Sequence, residues 1–102
     1  MPPSQGASWE EWYRWILCEL YKKAGGDCKD LNGDDAARAS IFVDYIDTKG
    51  VPAFATGAEQ SEYVALLLKM QTHLALPSND LPFEIDESLN DTIDKLIDEL
   101  GE

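Results

Sequence analysis

The chain holds one imidazole, His73, and two thiols, Cys18 and Cys28, against 20 carboxylates. An imidazole can serve as a general base or a metal ligand. Nucleophilic catalysis by a Ser-His or Cys-His pair carries local signatures, and none surrounds His73 or either cysteine. On a helical wheel His73 falls beside an apolar stripe, which suits a side chain at the rim of a core. Asp27, Asp30, Asn32, Asp34 and Asp35 crowd into one loop and raise the question of calcium. An EF-hand loop needs oxygen ligands at its first and last positions and Gly near its middle. Placing Gly33 at that Gly position puts Cys28 first and Ala39 last, and neither is a ligand of the required kind. Paired carboxylates can do acid–base work, but no spacing here selects a pair. The expectation is a non-enzymatic chain with no catalytic residue, metal or cofactor.

Two other features could serve binding. Glu87, Asp91, Asp94 and Asp98 recur at i, i+4, i+7 and i+11, opposite the apolar stripe of their segment, and Lys95 alone interrupts the acidity. At about 1.5 Å of rise per residue, successive charges stand roughly 5–6 Å apart. Phosphates along one DNA strand are spaced on a similar scale, about 6–7 Å along the helical path. This face can imitate a nucleic-acid backbone and enter a basic groove. Asp98 and Glu99 also lie near a helix C-terminus, where negative charge opposes the dipole. Trp15 is the second feature. It points about 240° from Trp9, taking 100° per residue, and so toward the polar side of its helix. A large aromatic there can anchor an interface, or is covered if the first helix is flanked on two sides or the leader folds over it.

Glu87-Ser88-Leu89 resembles the Asp-Ser-Leu of acyl carrier proteins, whose Ser bears a phosphopantetheine arm. The resemblance covers three residues, Glu replaces Asp, and only one helix fits after Ser88. No arm is assigned.

These residues need elements to hold them. Ser8-Trp9-Glu10-Glu11 is a capping box, Lys22 and Lys23 suit a last turn, and Gly25-Gly26 stops the helix. Trp9, Trp12, Tyr13, Ile16, Leu17 and Leu20 share its apolar face. A second helix begins at Asp34 or Asp35, buries Ala37, Ile41, Phe42, Tyr45 and Ile46, and ends at Gly50. The β-favouring residues of Ser40 to Tyr45 leave a strand as the alternative. Thr56-Gly57-Ala58-Glu59 is a second capping box, opening a helix from about Gly57 to Ala75. Tyr63, Leu67, Met70, Gln71 and Leu74 align there, and Val64, Leu66 and Leu68 widen the stripe to that of a central helix. Pro77 to Phe83 is the longest linker. The last helix spans about Asp86 to Leu100, with Leu89, Ile93, Leu96, Ile97 and Leu100 apolar at helical spacing. Asn90-Asp91-Thr92 matches the glycosylation pattern, but inside this helix it is read as chance. The fold class expected is all-α: a flexible leader over residues 1–7, then one helical domain of about four helices over 8–102.

Composition narrows the function. The 102 residues suit one domain, and 44% apolar with 27% charged residues is globular. Eight Lys and Arg against 20 Asp and Glu give a net charge of −12. That charge opposes direct contact with nucleic acid or an anionic membrane, and no apolar run reaches the roughly 20 residues of a spanning helix. The first residues, Met1-Pro2-Pro3-Ser4-Gln5, lack the basic and apolar regions of a secretory signal. A cytoplasmic protein is expected, with Cys18 and Cys28 reduced; a bridge between them, closing a small loop, is the alternative. The reading is an inhibitor or immunity-type protein, such as an anti-CRISPR or anti-restriction factor or a toxin antidote. Its partner would be basic, for example a nuclease or another nucleic-acid-binding protein. Glu87, Asp91, Asp94 and Asp98 would supply the electrostatic contact and Trp15 the anchor. The alternative is an assembly adaptor that forms a homo-oligomer through Trp15 and leftover apolar surface.

Overall fold

The computed structural model describes residues 2–101 and is all-helical. Its helices are α1 (Trp9–Lys23), α2 (Asp35–Lys49), α3 (Gly57–Leu74) and α4 (Phe83–Leu100). One turn of 3-10 helix, Cys28–Asp30, precedes α2. The strand alternative for Ser40 to Tyr45 is thereby set aside. Phe42 and Ile46 instead occupy consecutive turns of one buried helical face.

α1 starts where its cap dictates. Ser8 accepts from the Glu11 amide, and Glu11 reaches back to the Ser8 amide. It ends in a Schellman turn, with Gly26 N–H donating to the Tyr21 carbonyl and Gly25 N–H to the Lys22 carbonyl. Gly25 takes φ 108°, which a Cβ would strain, and a Cβ on Gly26 would stand 2.5 Å from the Tyr21 ring. This tight reversal returns Cys28 over α1, where it forms a disulfide with Cys18 across a Cα–Cα distance of 5.4 Å. The expected free thiols are therefore corrected. A separation of ten residues allowed the bridge, and the Schellman turn brings the pair into register.

Asp34 caps α2 through the Ala37 amide at 2.8 Å. Thr56 caps α3 through the Glu59 amide at 3.1 Å, but the reciprocal Glu59 bond expected of a capping box is not formed. α4 begins at Phe83, three residues before the expected Asp86. The Pro82 carbonyl accepts from the Ile85 and Asp86 amides, and Asn79 braces the start by donating to Asp86 Oδ1 at 2.8 Å. A proline at this boundary opens the helix as well as closing the linker.

The helices form a ring in which α1 packs on α2 and α3, and α4 packs on α2 and α3. Consecutive helices α2 and α3 are thus diagonal, and the segment between them carries Phe54 across to the Tyr63 ring at 5.0 Å. Tyr13, Ile16 and Leu20 of α1 meet Phe42, Leu67, Met70, Ile93 and Leu96 in one core. Each such aliphatic side chain stabilises the fold by about 1.5–3 kcal/mol on burial. α3 is not the central helix. Its stripe closes with Val64 and Leu66 half-buried and leaves Leu68 49% exposed, because only two helices flank it.

Candidate interaction faces

α4 has the segregation its sequence implies. Leu89, Ile93, Leu96 and Leu100 are buried, and Glu87, Asp91, Asp94 and Asp98 are all exposed. Asp94 accepts from the Gln71 amide of α3, which fixes one carboxylate near the α3–α4 seam. Among the described residues no ion pair reaches α4. The pairs are Arg14 with Asp35 at 2.8 Å and Glu10 at 3.2 Å, Lys22 with Glu19 at 3.0 Å, and Lys23 with Glu62 at 3.9 Å. Arg38 donates to the Leu31 and Gly33 carbonyls, holding the loop before α2. Four of the eight Lys and Arg thus serve α1 and the α2 entrance, and among the described residues none pairs with the α4 carboxylates.

Trp15 lies elsewhere. Its ring is half-buried against the core edge, meeting Trp12 edge-on at 5.9 Å. It lines a groove of about 320 Å³ between α1 and α3 with Ala65 and Leu66 and with the charged side chains Glu19, Lys23, Glu62 and Lys69. The expected position on a polar face is corrected: α3 covers that side of α1, so the helix buries more than one stripe. α3 also stands between Trp15 and the acidic face, since Gln71 and Gln60 of α3 bond to α4 on its other side. The structure gathers the four carboxylates into one face and separates Trp15 from them.

The other residues with chemical potential are occupied by structure. The Trp9 indole donates to the His73 carbonyl at 2.8 Å, and His73 Nε2 donates to the Trp9 carbonyl at 2.8 Å. Because a carbonyl only accepts, Nε2 carries the proton. The two rings stack at 4.8 Å, and Tyr13 also stacks on Trp9 at 5.0 Å. His73 therefore pins the end of α3 to the start of α1. Three of the four loop acids are also engaged: Asp27 caps the 3-10 turn, Asp34 caps α2, and Asp35 pairs with Arg14. Tyr13 donates to the Asp35 carbonyl at 2.8 Å, and burial raises its phenol well above the ordinary range, with Asp35 adding to the shift. Among the described residues no group of His, Cys, Asp and Glu is placed to hold a metal ion. No helix is long and apolar enough to cross a membrane.

A second face was missed in the sequence. Ser61, Ala65, Leu68 and Thr72 are all exposed along the outer side of α3. Periodicity places Leu68 on the buried stripe, and the structure exposes it. The readable signal was charge, because no Asp or Glu occurs from Tyr63 to Asn79, the longest such interval in the chain. No family model matches the chain, and neither a curated protein nor a solved structure matches it.

Proposed function

We propose that this chain is a small acidic binding protein that blocks a basic, nucleic-acid-handling partner by occupying its nucleic-acid site. It belongs in this reading with inhibitor and immunity-type proteins, including anti-CRISPR and anti-restriction factors and toxin antidotes. The single observation that supports it is the row Glu87, Asp91, Asp94 and Asp98, exposed on a rigid helix without a neutralising ion pair. Unpaired like charges on one face repel each other, and a basic groove relieves that repulsion while steering encounter. Steric occlusion then needs no catalytic group. Trp15 lies outside this footprint, so the contact rests on charge and on the shape of α4.

A nucleic-acid-handling partner implies a cytoplasmic site of action. Reducing thiols there would attack the Cys18–Cys28 bridge, so binding belongs under both redox conditions. The test immobilises the chain, passes host lysate at low salt, and elutes first with duplex oligonucleotide and then with high salt. Basic proteins released by the oligonucleotide, and not retained by an Asp91→Lys/Asp94→Lys variant, are the expected result. Equal retention by that variant would sink the proposal. So would release by salt with no release by nucleic acid, because the bound site would then not be the nucleic-acid site.

A further inference from the structure

We infer that the outer face of α3, with the Trp15 groove beside it, is a self-association surface that takes a second copy of this chain. The inference stands independently of the acidic face of α4. Ser61, Ala65, Leu68 and Thr72 follow i, i+4, i+7 and i+11 and are exposed, with Leu68 at 49%. Ala65 also lines the Trp15 groove. Lys69 lines both that groove and a second one beside Trp12, His73 and Leu76, and its Nζ stands 4.8 Å over the Trp12 ring. Leu76, 44% exposed, extends the same surface at the end of α3. The face and the two grooves are therefore one surface.

Charge selects the occupant. The chain carries −12, so two copies repel wherever their carboxylates meet. α1 exposes Glu10 and Glu11, α2 exposes Asp44 and Asp47, and α4 exposes its acidic row. From Tyr63 to Asn79 α3 and its extension carry no carboxylate and one Lys. The carboxylates that border the Trp15 groove, Glu19 and Glu62, are paired with Lys22 and Lys23, so a second copy meets less unneutralised negative charge here than on the acidic row of α4. A two-fold axis places the same face on itself, as an isologous interface requires. Ala65 and Ser61 are small enough to let two helices approach closely.

The size of the surface sets the strength. Ser61 to Leu76 spans about 23 Å at 1.5 Å per residue. With α1 alongside at about 9 Å between axes, the patch is roughly 20 Å wide. Two copies then bury on the order of 900 Å², below the roughly 1,000 Å² that stable interfaces clear and in the range of weak, transient contacts. The dimer is accordingly weak and concentration-dependent. Salt strengthens it, because screening removes repulsion between the remaining charges and leaves the apolar contact. Binding of a basic partner to α4 responds to salt with the opposite sign, so failure of one reading is separable from failure of the other.

The experiment is sedimentation velocity with light scattering on the full chain, across concentration and at low and high salt. The mass should rise from 11.4 kDa toward twice that value with concentration, and further at high salt. Leu68→Glu and, as a second variant at a small exposed position, Ala65→Glu should hold the mass at 11.4 kDa throughout with unchanged helical circular dichroism. Asp91→Lys/Asp94→Lys should dimerise like the wild type or more tightly. A wild-type mass that stays at one chain under every condition overturns the inference. So does a dimer that weakens with salt, or one that survives both glutamate substitutions.

Discussion

Removing the Cys18–Cys28 bridge, by reduction or by Cys18→Ser/Cys28→Ser, should lower stability through the unfolded chain rather than by disordering the native fold. The bridge closes a loop with a sequence separation of 10. Chain entropy gives about 9 cal/mol/K for such a closure, or ~2.7 kcal/mol at 25 °C. Unfolding entropy near 2.1 cal/mol/K per residue over 102 residues converts this to a fall in Tm of about 13 °C. The native loop has other anchors. Leu31 is buried, Arg38 donates to the Leu31 carbonyl at 2.7 Å, and Tyr45 donates to the Ala24 carbonyl at 3.3 Å. Helical content in buffer should therefore stay the same. Thermal and urea unfolding followed by circular dichroism, with and without a phosphine reductant, measure both quantities. Thiol titration before reduction should find no reactive cysteine. A fall in Tm below about 4 °C would refute the entropic reasoning, since that corresponds to less than about 1 kcal/mol. Loss of native helix on reduction would refute it differently, by showing that the bridge holds the loop in place.

Burial raises the phenols of Tyr13 and Tyr63 above the ordinary 10.0, with Asp35 contributing at Tyr13 and Tyr45 at Tyr63. Below about pH 9 both folded and unfolded chains keep these protons, so these two tyrosines add no pH dependence to stability there. Above it the unfolded chain ionises first, and stability should fall as pH rises. Phenolate absorbance should show these two tyrosines titrating only as helix is lost; ionisation of all four before unfolding would contradict their burial. Tyr63→Phe removes a buried hydroxyl without a partner and should leave stability unchanged or raise it by up to about 1 kcal/mol. A loss above about 1 kcal/mol would instead reveal an internal water bonded to that hydroxyl. Trp15→Ala should cost about 2 kcal/mol in urea unfolding with the fold retained, roughly half the loss at a fully buried Trp. No loss would mean that the ring does not pack on the core edge.

The local events were readable because their causes are local. Ser8 with Glu11, Asp34, Thr56, Gly25 and Gly50 mark helix ends through groups that they themselves cap or bend. The stripe Leu89, Ile93, Leu96 and Leu100 fixes which side of α4 is buried, and so leaves Glu87, Asp91, Asp94 and Asp98 exposed whichever neighbours α4 takes. What depends on neighbours was not readable. Periodicity orients a side chain about its own axis and is silent on which helix stands there. Trp15 therefore reads as lying on a polar face until α3 is placed beside α1, and Leu68 reads as core until α3 proves to have two neighbours only. The Cys18–Cys28 bridge belongs with these. Two cysteines within one loop length permit a bond, but its formation depends on the angle at which the chain leaves α1, set by Gly26 closing against Tyr21. The sequence by itself determined four amphipathic segments, three of them with side-chain caps, and one acidic face. Tertiary structure alone decided the order of the ring, and with it the separation of Trp15 from the carboxylates, because packing partners are chosen by all four faces at once.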